Sequence, residues 1–259
     1  MKTKIFKIIR IIAILVCLGT IAYESYKIYD DQKEYQVAKN EYEELENIAV
    51  SYPLVEDEAA ITDYPLLQID FDRLKSINDD VVAWIYFPTL DISYPVVHEN
   101  EIDEYLYVTF DGTSNKSGSI FEDVLSDPEF RGMHDIVFGH NMKNGTMFGS
   151  LKKLYQGEGD ELLSTNPYVY IYTEEYVFQY RVFGYYLTKV GSEAYKVVKT
   201  DDTYDEFLEY IQYHSAYKRP DDADFSIRPG ILTLSTCSGT SGSGNRFVVH
   251  TYKTAVYAR

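Results

Sequence analysis

Apolar and polar positions divide the chain into stretches of different period. From Ile5 to Tyr23, 19 residues are apolar apart from Lys7, Arg10 and a few small polar residues, the length of a bilayer-spanning helix whose two cations can snorkel from its N-terminal end. The following "ESYKIYDDQKEYQVAKNEYEELENIAV" is charged throughout and predicts a helical stem, and "SYPLVEDEAAITDYP" (51–65) has the proline and acidic content of a linker. Near Leu66 the pattern changes. "LQIDFDRLKSIN" has helical spacing, and after it come β-type runs: "VVAWIYF", "ISYPVV", "YLYVTF", "GSIF", "DIVFGH", "YVYIYT", "YVFQYRVFGYYLTK", "AYKVVK", "ILTLST" and "RFVVHTYK". Separated by turn residues, they predict an antiparallel barrel or sandwich. One helix interrupts them within 200–220, where Tyr204, Phe207, Leu208, Ile211 and Tyr213 fall along one face.

Composition agrees with a β-rich core. The chain is 45% hydrophobic and its aromatics are mostly tyrosine, 26 beside 13 Phe and one Trp, rings that suit half-wet strands. Lys2, Lys4, Lys7 and Arg10 precede the apolar run, so the positive-inside rule puts the N-terminus in the cytoplasm and the remainder outside. A cleaved signal peptide is the competing reading, because the uninterrupted apolar core is short, but no small-x-small site follows it. Setting those four cations aside leaves 20 Lys and Arg against 41 Asp and Glu, a net charge of −21 beyond Tyr23, which argues against nucleic acid and anionic lipid as partners.

Cysteine usage narrows the chemistry. Cys17 lies in the apolar segment, so Cys237 has no intramolecular partner outside and no disulfide framework or cysteine-rich metal site is possible. Cys237 ends the run "ILTLST" before the loop "SGTSGSGN", a strand end where a rigid scaffold can present a nucleophile. A thiol needs activation, for which imidazole is the usual partner. Of His98, His134, His140, His214 and His250, only His140 shares the strand-end setting; His98 and His134 fall in turns, His214 in the helix, and His250 in mid-strand, roughly 13 Å along from Arg246. Arg246 opens the strand that hairpin logic sets beside Cys237, and its forked guanidinium suits an oxyanion or a carbonyl.

These residues resemble a known family. "TLSTC" followed nine residues later by arginine, with "FGHNMKNGTMFGSL" upstream, resembles the sortases, cysteine transpeptidases of Gram-positive bacteria. "INDDVVAWIYFPTLDISYPVV", "SGSIFED" and the helix before the cysteine strand resemble class B. The resemblance covers about residues 66–253. It implies a mainly β fold, a closed eight-stranded barrel with peripheral helices; with the membrane helix and helical stem read above, the chain divides into anchor 1–23, stem and linker 24–65, and catalytic domain 66–259. It implies Cys237 as nucleophile, His140 as acid/base and Arg246 as transition-state stabiliser, with Ser235 and Thr236 contacting substrate.

The implied reaction cleaves a C-terminal sorting motif of the Asn-Pro-x-Thr kind after threonine, forms a thioacyl enzyme, and joins the surface protein to an amine of a peptidoglycan precursor or a pilin. No cofactor or metal is required, and nothing resembles a calcium loop. The implied location is the cell membrane, spanned once, with the catalytic domain outside. Two other classes remain open from the residues alone: a surface cysteine protease ending in water, and a non-catalytic adhesion module.

Overall fold

A computed structural model of the chain describes residues 2–52, 64–239 and 242–259; most of the expected linker, and Thr240 and Ser241 of the loop after Cys237, lie outside them. The first element is a continuous helix α1 (Lys2–Ala49), about 70 Å long at the α-helical rise. From Ile5 its N-terminal half is exposed on all sides, and it is the one helix among the described residues long and apolar enough to cross a membrane. Its C-terminal half packs on the remainder: Ala38, Tyr42, Leu45 and Ala49 are buried in the same apolar core as the barrel. Lys116 pairs with Asp31 at 2.8 Å and Glu34 at 2.9 Å, and the Tyr42 hydroxyl donates to the Gly118 carbonyl at 2.8 Å. Glu46 accepts from Ser93 at 2.8 Å, and Ser93 accepts from the indole of the sole tryptophan, Trp84, at 3.1 Å. The helix therefore holds both the first barrel hairpin and the loop 99–119.

After α1, the two-residue strands β1 (Val50–Ser51) and β2 (Gln68–Ile69) pair, and the short helix α2 (Phe71–Lys75) begins where Asp70 accepts from the Arg73 amide at 2.9 Å. The barrel strands follow: β3 (Val81–Phe87), β4 (Ile92–His98), β5 (Ile120–Glu122), β6 (His134–Phe138), β7 (Tyr168–Tyr172), β8 (Tyr176–Lys189), β9 (Ile231–Cys237) and β10 (Asn245–Ala258). They close in the order β10-β8-β7-β3-β4-β5-β6-β9. Helix α3 (Gly159–Thr165) precedes β7, and α4 (Asp201–His214) lies between β8 and β9. Closure abolishes sheet edges, so a highly apolar barrel has no strand left to template aggregation.

The barrel corrects three expectations. It is mixed rather than antiparallel, because β4 pairs β5 and β6 pairs β9 in parallel, joined through long crossovers. The run "YLYVTF" is a curled loop: Thr109 donates to Thr113, Asn115 to Tyr107 and Ser119 to Tyr105, so its backbone groups are satisfied locally around Gly112. The run "AYKVVK" is a helical turn (Glu193–Tyr195) followed by unpaired chain, since each barrel strand already has two neighbours.

Helix α4 follows its pattern more closely. Thr200 and Thr203 cap it reciprocally, with Asp201 and Asp202 in the first turn where the helix dipole favours acids. Tyr204, Phe207 and Ile211 are buried against the outside of β8 and β10 together with Phe183, Tyr186 and Val248, forming a second apolar core. Leu208 is half-buried, whereas Tyr213 is 86% exposed and departs from the expected face.

Candidate active site

Strand register brings Cys237, His140 and Arg246 to one level. In the β9–β10 ladder Cys237 stands opposite Arg246, so both side chains leave the same face. On the other flank β6 runs parallel to β9 with Phe138 beside Ser235, and the Gly139 amide continues the ladder to the Ser235 carbonyl at 3.1 Å. Cys237 and His140 each follow that rung by two residues. With strands about 4.8 Å apart, this puts His140, just past β6, and Arg246, on β10, on either side of Cys237, and all three line one cleft. Residues separated by 97 and 9 positions in sequence thus meet because β6, β9 and β10 are neighbours.

Each residue is held by its surroundings. Cys237 is a free, partly exposed thiol whose carbonyl accepts from Asn141 Nδ2 at 2.9 Å, a contact that fixes the strand end. His140 Nε2 lies 2.6 Å from the Leu106 carbonyl. A carbonyl only accepts, so Nε2 carries the proton, and in the neutral ring Nδ1 is the free lone pair. Burial lowers the His140 pKa below its ordinary value, the Leu106 bond opposes that, and the nearby Arg246 charge adds to the lowering. Gly139 is required beside it, because a Cβ there would run into Ile120 and Phe148. Arg246 donates from Nη1 to the Asn245 carbonyl at 3.0 Å.

These side chains sit in a cleft of about 440 Å³. Its lining comes from the loop 99–106, β5 and the segment that follows it to residue 126, one face of β6, the segment 190–197 after β8, the end of β9 and Arg246 on β10. Apolar groups such as Leu106, Phe138 and Val197 alternate with polar ones, a lining suited to an extended peptide. Ser235 and Thr236 are both buried and both line it; Ser235 Oγ is 2.9 Å from the Tyr195 hydroxyl, while Thr236 Oγ1 has no protein partner. Glu99, also in the lining, is pushed up to about 7 by burial. Among the described residues no three His, Cys, Asp or Glu side chains converge as a metal site.

Of the remaining histidines, His134 reaches the lining of the cleft from the start of β6, and the other three lie outside it. His98 ends β4 and meets Glu122 at 3.0 Å; His214 is on α4 with Nδ1 2.9 Å from its own Tyr210 carbonyl. His250 is buried in mid-strand. His134, expected in a turn, instead begins β6 and is buried, because its ring finds partners in Thr233 on β9 and the Lys196 carbonyl of the segment after β8. Sequence reasoning missed the Leu106 carbonyl and Asn141. The first has no side-chain signal, and the second showed only as a polar residue after the histidine.

The chain matches the family model for the sortase domain over residues 85–254. Sortase B of Listeria monocytogenes is 26% identical over 227 residues, covering 86% of this chain and 87% of the relative, and sortase B of Staphylococcus aureus is 26% identical over 180 residues, covering 69% and 72%. Among solved structures, sortase B from Bacillus anthracis superposes with a TM-score of 0.70 at 30% identity, covering 86% of this chain and 98% of that one. Clostridium perfringens sortase B gives 0.64 at 29% identity, covering 72% and 100%.

Proposed function

This chain belongs to the sortase family, as a class B cysteine transpeptidase, and on that premise we propose that Cys237 is its nucleophile, His140 its acid/base and Arg246 its oxyanion stabiliser. The observation that carries the assignment is that the ends of β6, β9 and β10 bring the three residues to one level, where all three line one cleft.

In the first half-reaction Cys237 Sγ attacks the carbonyl carbon of the threonine in an Asn-Pro-x-Thr sorting motif. Arg246 faces the charge that develops on oxygen. The C–N bond breaks, and the proton that His140 Nδ1 has taken from the thiol passes to the departing amine, leaving a thioester. In the second half-reaction an acceptor amine attacks the thioester, its proton goes to Nδ1, and the thiolate leaves and recovers that proton. The Leu106 carbonyl steadies the imidazolium formed in between, because it holds the opposite N–H throughout.

Ser235 and Thr236 contact the bound motif. The substrates are surface proteins with C-terminal sorting signals, and the acceptor is an amine of a peptidoglycan precursor or a pilin. The apolar half of α1 spans the cell membrane once, with the catalytic domain outside. The test is peptide ligation: with an Asn-Pro-x-Thr peptide and an amine acceptor, the purified protein yields the amide joined at threonine. Absence of cleavage at that motif, with cleavage at another, would overturn the substrate assignment.

A further inference from the structure

The mechanism leaves two buried histidines without a task. His134 on β6 and His250 on β10 face the second core under α4, on the same side of the sheet as Cys237 but further down the strands. They belong to a chain of hydrogen bonds that crosses four adjacent strands. The Tyr186 hydroxyl on β8 is 3.0 Å from His250 Nε2, His250 Nδ1 is 2.8 Å from Thr233 Oγ1 on β9, and Thr233 Oγ1 is 2.8 Å from His134 Nε2. His134 Nδ1 then lies 2.8 Å from the backbone carbonyl of Lys196.

The direction of every bond in this chain is forced. The Lys196 carbonyl can only accept, so His134 Nδ1 carries the proton. Burial pushes His134 down to about 4 and His250 well below its ordinary value, so both rings are neutral. Nε2 of His134 must therefore accept, and its donor is the Thr233 hydroxyl. Thr233, having spent its single proton, accepts from His250 Nδ1, and His250 Nε2 in turn accepts from Tyr186. One arrangement satisfies all five polar groups, with both histidines in the Nδ1–H form.

The chain ends on a segment that needs holding. Residues 193–198 have no strand partner, yet Tyr195, Lys196 and Val197 line the cleft, and the Tyr195 hydroxyl reaches Ser235, two residues before Cys237. Lys196 Nζ is tied to Glu206 on α4 at 2.7 Å, and the His134 ring packs on Phe207 of the same helix at 4.4 Å. We propose that the directed chain Tyr186–His250–Thr233–His134 fixes the 193–198 wall of the catalytic cleft, making Thr233, His134 and His250 positioning residues for the bound sorting peptide. A fully satisfied buried network defines one geometry where apolar packing alone would tolerate several. The proposal rests on the functional reading above, since it assigns the wall to peptide binding.

Thr233→Val in the full-length, detergent-solubilised protein keeps the side-chain shape and removes the hydroxyl. Expected are a KM for the sorting peptide raised about fivefold or more, the scale of one lost hydrogen bond, a kcat within about twofold of wild type, and an unchanged rate of Cys237 alkylation by iodoacetamide. Thr233→Ser restores KM. Side-chain ¹H–¹⁵N correlation spectra of wild type at neutral pH show His134 and His250 both as neutral Nδ1–H rings.

A wild-type KM in Thr233→Val, failure of Thr233→Ser to rescue it, or either ring in the Nε2–H or charged form overturns the proposal. Should Thr233→Val not fold, Tyr186→Phe removes only the first donor; His250, still fixed from the Lys196 end through Thr233, is expected to stay in the Nδ1–H form while its less firmly held ring raises KM in the same direction, and an unchanged KM or an Nε2–H ring would overturn the proposal. If wild type cleaves no sorting peptide, the functional reading fails while the tautomers still decide the network.

Discussion

His140 donates a hydrogen bond from Nε2–H to the Leu106 carbonyl at 2.6 Å, and that carbonyl rests against Gly118, where an added Cβ would collide with it. Gly118 also has a left-handed φ of 56° and offers its own carbonyl to Tyr42 of α1. Gly118→Ala is therefore expected to displace Leu106 and with it the imidazole. Peptide cleavage measured as kcat/KM should fall by at least about tenfold, below the full contribution of a general acid/base, while iodoacetamide still labels Cys237. An unchanged rate would show that the Leu106 contact does not set the histidine.

Arg246 stands opposite Cys237, and its role depends on a planar fork of donors. Arg246→Lys keeps the charge and loses the fork, so kcat should drop by about 10²-fold, the scale of one lost oxyanion donor. Near wild-type cleavage would reduce Arg246 to a general positive charge.

The C-terminal half of α1 shares its buried surface with the barrel through Ala38, Tyr42, Leu45 and Ala49. A fragment starting at residue 24 keeps these contacts and should unfold at the same temperature as the full chain. A fragment starting at residue 66 exposes the apolar surface they cover and should lose several kcal/mol of stability, since each large buried side chain contributes about 2 kcal/mol. Equal thermal midpoints for the two fragments would show the helix to be a detachable stem.

Burial raises Glu99 from 4.5 to about 7 in the cleft. Between those values the folded chain holds a proton that the unfolded chain lacks, so this contribution is complete below pH 4.5 and is lost as pH rises through 7. Stability should fall by on the order of 2 kcal/mol between pH 5 and pH 8, and Glu99→Gln should flatten the dependence. A profile identical in the variant would assign the effect to other groups.

Much of this arrangement was legible in the chain because its signals are local. The runs Val81–Phe87 and Tyr176–Lys189 coincide with β3 and β8, and helix α4 begins at the capping threonine. The strand-end positions of Cys237 and His140 were readable for the same reason. What escaped depends on closure and register. Residues 105–110 and 194–199 have strand composition, but a closed barrel leaves them no edge, and the loop pairs its own backbone. The burial of His134 could not be read from "RGMHDIVF", because its partners Thr233 and Lys196 are 99 and 62 residues away.

A thioester on Cys237 can be caught by intact-protein mass spectrometry after mixing the protein with an Asn-Pro-x-Thr peptide without acceptor amine. One adduct with the mass of the peptide up to threonine is expected, located on Cys237, discharged to an amide on adding an amine, and absent from Cys237→Ala. Cleavage of the peptide by Cys237→Ala, or an adduct on any other residue, would contradict Cys237 as the nucleophile.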